Sequence, residues 1–316
     1  MKVSVVVCTY SMERYDAFSA CVESVLEQRY EPLELVIVVD GNEAVFERVE
    51  DQFGDREGVV LHLNDENRGI SYSRTKGAKL ASGNVVAMID DDAVAEADWI
   101  GKLVGVYEET DAIAVGGHVA PNWMGGKPDF FPEEFYWLVG CDERGFGEHM
   151  EELRNTYGSN ISFQREAFLS VGGYDENTGR KGDKHVQAHE APVCIRLRER
   201  YGNGVIYNKE AVVHHTLFEY RGDFRWLVAR SFWQGYSKRI MDLLLPEAAG
   251  DKQEYLKRLL TTFVPLRLKE LVRRPSMAGV KQLVAIIVFT AAVGLGYLYG
   301  FSKPKQRLMS ETPQAT

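Results

Sequence analysis

Asp90, Asp91 and Asp92 follow five consecutive apolar residues, Val85-Val86-Ala87-Met88-Ile89. An apolar run of that length reads as a strand buried on both faces of a sheet. Carboxylates packed at the end of such a strand are costly unless a cation neutralises them. Hard oxygen ligands suit Mg²⁺ or Mn²⁺, and open α/β sheets bind ligands beyond the carboxyl ends of their strands. In extended chain Asp90 and Asp92 point to one side and Asp91 to the other. The competing account of an Asp-x-Asp is a solvated acidic turn. The buried strand before it, and the strand ends described next, weigh against that account.

Thr9 and Tyr10 close a first apolar strand, Lys2 to Tyr10, and Asp40 closes a second, Leu33 to Val39. One sheet edge would then carry an aromatic ring, a lone carboxylate and a metal site, which suits a nucleotide. Tyr10 could pack beside a base, Asp40 could accept from a base N–H, and the metal could hold a diphosphate. Arg68 or Arg74 could add positive charge. Ordinary turn chemistry is the alternative for Tyr10 and Asp40. No G-x-G-x-x-G follows the first strand and no G-x-x-x-x-G-K-[ST] occurs, which weakens a dehydrogenase or P-loop reading.

The elements that must position these residues alternate. Helices over Met12 to Tyr30, over Val45 to Phe53 and, after Asn67-Arg68-Gly69, through Ala81 separate strands at Lys2 to Tyr10, Leu33 to Val39, Val59 to Leu63 and Val85 to Asp90. Four such alternations predict an α/β fold with a doubly wound, mostly parallel, Rossmann-like sheet. Gly83 suits a left-handed cap after the third helix. Further on, strands are expected at Ile113 to Val119, Gly158 to Phe163, Val205 to Tyr207 and Ala211 to Val213. Pro121 to Gly147 reads as an irregular active-site loop, and Asn177 to His189 as a mobile basic one. Helices are expected at Ala167 to Val171 and at Glu190 to Tyr201.

The chain of 316 residues carries a net charge of −9, which argues against nucleic acid as a partner. Residues 252–309 run against that balance, with eleven Lys/Arg against Glu254 and Glu270. An acidic body with a basic tail suggests a tail that meets an anionic membrane. Leu283 to Phe301 contains no charge and is about the minimum length for a transmembrane helix, roughly 17–25 residues. An interfacial or buried helix is the alternative. Phe224 to Leu245 and Tyr255 to Val272 read as basic amphipathic helices, for a membrane interface or for packing on the catalytic body. The expected division is a catalytic domain at 1–220, membrane-associating helices at 221–275, a transmembrane helix at 276–302 and a polar tail at 303–316. Basic residues before the apolar stretch outnumber those after it, and no charged-then-apolar leader opens the chain. The catalytic part is therefore expected on the cytoplasmic side of the cell membrane. Cys8, Cys21, Cys141 and Cys194 show no C-x-x-C spacing and read as buried free thiols.

The order VVVCTY, IVVDG, NRGISYSRTKGAKLASG, IDDDA, GGYDE, the Glu190 helix and VVHH resembles the family 2 glycosyltransferases. The resemblance covers roughly Val3 to His215. It implies a GT-A fold and an inverting enzyme with a divalent metal cofactor, Mn²⁺ or Mg²⁺. It implies that Asp40 meets uracil, that Asp90 and Asp91 meet the nucleotide-sugar, and that Asp92 meets the metal. His214 is the best match for a histidine that completes the metal shell. The family's catalytic base comes six residues before a helical arginine. Counting back from Arg196 gives Glu190, in the place of the usual aspartate, with His189 before it. The layout also resembles haloarchaeal membrane hexuronosyltransferases, which extend dolichol-phosphate-linked saccharides for N-glycosylation of S-layer glycoproteins.

That resemblance implies three partners: a nucleoside-diphosphate sugar, a lipid-linked saccharide acceptor and the membrane. A hexuronate donor carries a carboxylate that wants a cation. Arg68, Arg180, Lys181 and Lys184 are candidates, though the same basic loop could grip a lipid phosphate instead. A polyprenyl-phosphate glycosyl synthase is the rival enzyme. A tethered sugar-binding protein with an inactive domain is the rival of another class. Without the family pattern, Glu190 would read as a first-turn carboxylate stabilised by the helix dipole.

Overall fold

The computed structural model describes residues 1–176, 190–244 and 255–302. They fall into two compact units. The first holds Met1–Asn122 with the described residues 147–176 and 190–216. The second holds Trp123–Phe146 with the described residues 217–244 and 255–302. The segment Trp123–Phe146, which a linear reading leaves inside the catalytic domain, thus belongs to the same compact unit as the C-terminal helices.

In the first unit β1 (Val3–Thr9), α1 (Tyr15–Leu26), β2 (Leu33–Asp40), α2 (Glu43–Phe53), β3 (Val59–Asn64), α3 (Ile70–Leu80) and β4 (Val85–Asp90) alternate as expected. Every residue of β1 is buried, with four valines, whose β-branched side chains suit a pleated strand packed on both faces. It is flanked in parallel by β2 and β4, and β3 adds to β2 in parallel. The alternation stops there. After β5 (Ala93–Ala95) and α4 (Trp99–Glu109) come β6 (Ala114–Trp123), β7 (Glu151–Leu153), β8 (Ile161–Gln164), α5 (Arg165–Ser170), α6 (Glu190–Tyr201) and β9 (Val205–Leu217). Here β8 pairs antiparallel with β4 and with β6, and β9 pairs antiparallel with β5 and β7. The order is β3-β2-β1-β4-β8-β6-β9-β5. The sheet is therefore mixed: its first half, where each strand is joined to the next through a crossover helix, is parallel as predicted, and its second half is antiparallel.

Two local expectations change. Gly83 does not adopt a left-handed conformation. Its backbone N–H donates to Ser4 Oγ at 2.9 Å, and a Cβ there would run into Ser4 itself. Close approach is what requires glycine at this position. The two short strands expected at Val205 to Val213 are one continuous strand, whose exposed middle residues Lys209 and Glu210 break the apolar pattern. All four cysteines are buried free thiols, and burial pushes Cys8, Cys21 and Cys194 above the ordinary thiol range.

The second unit contains the 3₁₀ helix Glu133–Val139, then α7 (Phe224–Leu244), α8 (Val264–Arg273) and α9 (Met277–Phe301). The helix leading into α8 widens to a π turn over Leu259–Phe263, just before Pro265. Proline lacks the N–H that the regular ladder needs. Among the described residues α9 is the one helix long and apolar enough to cross a membrane.

Candidate active site

Asp90 ends β4, with Asp91 and Asp92 in the turn that leads into β5. Pairing of β5 with β9 sets Ala93 against His215 and Val94 against His214. Successive residues of a strand face opposite sides, and that single fact decides which histidine joins the aspartates. His215 Nε2 lies 3.1 Å from Asp92 Oδ1, and both residues are buried. His214 faces the other way, with its Nε2 3.2 Å from Glu96 Oε1. Of the two, the structure brings His215, not His214, to the aspartates. Asp90, Asp92 and His215 offer ligand atoms that all lie within 4.8 Å of one another. Two carboxylates and an imidazole at that spacing fit a divalent cation such as Mn²⁺ or Mg²⁺.

Asp91, in the turn, diverges from its neighbours and accepts from Thr9 Oγ1 at 2.9 Å. Burial pushes its carboxyl up and the charge on Asp92 pushes it further. The Thr9 hydroxyl pulls it back, Asp90 raises it again and Arg14 lowers it, which leaves it at about 7. Thr9 thus holds Asp91 in place. Arg14 Nη1 stands 3.7 Å from Asp92 Oδ2, a residue that sequence reasoning passed over.

Arg74 is 1% exposed and sits behind the site. Its Nη2 donates to Asp90 Oδ1 at 2.5 Å and to the Gly158 carbonyl at 2.7 Å. Burial alone would depress the guanidinium, but Asp90 first, then Tyr174 and Glu190, raise it above its ordinary value. The partners that the structure gives Arg74 are thus Asp90 and the Gly158 carbonyl. Arg74 is on the buried side of α3 with Ser71 and Ala78, three residues before it and four after.

Glu190 opens α6 and accepts from the Gly158 N–H at 3.0 Å. A side chain at Gly158 would overlap Glu190 Oε1 and Arg74 Nη1. Asp90, Arg74, Gly158 and Glu190 thus form one connected path from the acidic cluster to the head of α6.

Asp40 is buried, and its carboxylate accepts from Asn64 Nδ2, Arg68 N and Gly69 N at 2.8, 2.9 and 2.8 Å. It shapes the turn that presents Arg68, whose side chain stacks over Tyr72 and pairs with Glu176 at 3.1 Å. Tyr10 is 52% exposed, with its carbonyl held by Asn42. Arg180, Lys181, Lys184 and His189 lie outside the described residues.

Residues 4–172 match the family described as Glycosyl transferase family 2. Over 305 residues the chain is 73% identical to the glucosyl-dolichyl phosphate glucuronosyltransferase of Haloferax volcanii, which covers 96% of this chain and 97% of that one. Two solved structures share the fold at low identity. The Pyrobaculum calidifontis mannosyltransferase PcManGT, in complex with GDP-Man and Mn²⁺, superposes with TM-score 0.56 at 18% identity, over 94% of this chain and 87% of that one. GalNAc-T7 with UDP, GalNAc and Mn²⁺ superposes with TM-score 0.54 at 16% identity, over 80% and 53%. That likeness supports a GT-A-like fold for this chain. With its model match spanning more than half of the sequence, this chain belongs to glycosyl transferase family 2.

Proposed function

We propose that this enzyme transfers a glucuronosyl unit from UDP-glucuronate to a sugar hydroxyl of glucosyl-dolichyl phosphate, with inversion, while a glycan is assembled for N-glycosylation of surface glycoproteins. The observation that carries this reading is the 73% identity to the Haloferax volcanii enzyme across nearly the full length of both chains. That relative's name supplies the sugar and the acceptor; the uridine nucleotide follows from the family resemblance.

The reaction is an in-line displacement at the anomeric carbon. The acceptor oxygen forms the new glycosidic bond as the bond to the diphosphate breaks, and the acceptor proton must leave. Glu190 takes that proton, and Gly158 orients it through one hydrogen bond. Arg74 ties Asp90 to the Gly158 loop, so acid cluster and base keep a fixed spacing. Asp90, Asp92 and His215 would hold a divalent cation, which when bound neutralises charge on the departing nucleoside diphosphate. Tyr10 offers a ring for the base. Arg68, among the described residues, is one candidate for the donor carboxylate, with Arg180, Lys181 and Lys184 as the others. We assign catalysis to 1–220, and membrane association to the helices beyond it, with the catalytic part facing the cytoplasm.

Membranes containing the protein, incubated with a panel of labelled UDP- and GDP-sugars and extracted for lipid, test this. Label should pass from UDP-glucuronate to glucosyl-dolichyl phosphate and stop in chelator. Transfer from another donor, or to bare dolichyl phosphate, would replace the reading.

A further inference from the structure

α9 is apolar on every side, which is why its sequence reads as a span, yet its two faces have different surroundings. Ala285, Ile286, Phe289, Ala292, Gly296 and Gly300 are buried. The Phe289 ring packs 5.5 Å from Phe135 and 5.7 Å from Phe224. Gly235 of α7 and Gly296 bring the two helix backbones together, with no room for a side chain at either. At the far end the Tyr297 hydroxyl donates to Asp242 at 2.8 Å, and the Arg239 guanidinium lies 3.9 Å over Phe301. At the near end Gln282 donates to the Asp129 carbonyl at 2.9 Å and accepts from Arg267. Arg267 in turn grips fully buried Glu134 through two bonds, at 3.0 and 2.9 Å.

α9 is therefore fastened along its whole length to a layer that carries Arg230, Lys238, Arg239 and Asp242. Crossing a bilayer would require either taking those charges into hydrocarbon or breaking every one of these contacts. The opposite face has no such obligation. Val280, Val284, Ile287, Leu295 and Leu298 are 42–69% exposed and spaced so that they fall on one stripe. Leu266, Leu268 and Val272 of α8, and Met277 at the start of α9, are exposed apolar residues as well. Lys269, Arg273, Arg274 and Lys281 are exposed among them, and Glu270 is the single acid between Val264 and Phe301.

An apolar stripe with a basic margin matches the boundary between acyl chains and anionic head groups. We infer that α8 and α9 bind an anionic lipid bilayer from one side, with α9 lying in the interface and not crossing it. This rests on the membrane association proposed above and replaces the crossing expected from sequence length.

The native cysteines are buried, so introduced ones report cleanly. Thr316→Cys and Glu57→Cys variants of the full chain, Glu57 being an exposed residue of the first unit, are labelled with a membrane-impermeant maleimide in intact cells and after lysis. Both should label only after lysis, with the protein in the membrane fraction. Labelling of Thr316→Cys in intact cells, while Glu57→Cys stays protected, would overturn the in-plane arrangement and leave membrane association standing. Recovery of both variants in the soluble fraction would overturn membrane association itself. Purified Ile287→Glu/Leu295→Glu should bind vesicles of anionic phospholipid at least tenfold more weakly than wild type. Unchanged binding would overturn the assignment of this face.

Discussion

Replacing His215 and His214 one at a time separates two adjacent residues that sequence alone treats alike. His215 offers one of three candidate ligand atoms that lie within 4.8 Å of one another, and its Nε2 is 3.1 Å from Asp92. Loss of an outer-shell partner typically costs about 10–100-fold in metal affinity, and a direct ligand should cost at least that. His215→Ala should therefore weaken Mn²⁺ binding by about 100-fold or more, roughly 3 kcal/mol at about 1.4 kcal/mol per tenfold. His214 is turned away toward Glu96, at 3.2 Å on the other face of β9. Its replacement by Ala should change Mn²⁺ affinity less than about twofold, within the range of surface substitutions. Titration calorimetry or the electron paramagnetic resonance signal of free Mn²⁺ reads affinity directly, independent of turnover. If His214→Ala weakens Mn²⁺ binding more than His215→Ala does, the register argument fails.

Two further perturbations bear on the first unit. Burial pushes the Glu34 carboxyl up, but hydrogen bonds from Ser4, from the Ser82 hydroxyl and N–H, and from Lys2 bring it down to about 2. A depressed folded-state pKa stabilises above the unfolded value and is lost as pH falls through the folded one. The contribution should drop from at most about 3 kcal/mol at pH 7 to about 1 kcal/mol at pH 3. Denaturant unfolding of Glu34→Gln against wild type should show that narrowing gap, and a gap independent of pH would contradict it. Gly158→Ala forces a methyl into the space of Glu190 Oε1 and Arg74 Nη1, so kcat should fall about 100-fold, with about 1–3 kcal/mol lost in stability. Wild-type kinetics and melting for this variant would show that Glu190 is not held there.

The parallel half of the sheet was legible because each strand and helix there is a short-range pattern, apolar runs alternating with helical spacing. The head of α6 at Glu190 was legible for the same reason. What escaped depends on pairing between distant segments. His214 and His215 follow Val212 and Val213, so period-two patterning cannot say which histidine is inward, and a one-residue slip reverses the answer. The buried alternation of Ala211, Val213 and His215 is visible only once β9 lies against β5. Arg74 carried a usable signal, since Ser71 and Ala78 flank it on the buried helix face, but an arginine near a diphosphate site invites the opposite reading. For α9 composition could not help, because an apolar helix packed on one face and one open on all sides have the same sequence signature.

The central claim is that Glu190 removes the acceptor proton during transfer to a sugar hydroxyl. Steady-state transfer from UDP-glucuronate to glucosyl-dolichyl phosphate by Glu190→Gln tests it most directly, since Gln keeps the size and the bond from the Gly158 N–H but cannot take a proton. General-base help is worth about 10²–10⁴-fold, so kcat should fall by that factor with donor binding unchanged, and Glu190→Asp should recover part of it. Turnover of Glu190→Gln at the wild-type rate would contradict this role, and would mean that the base lies elsewhere or that the attacking oxygen arrives already ionised, as a lipid phosphate does.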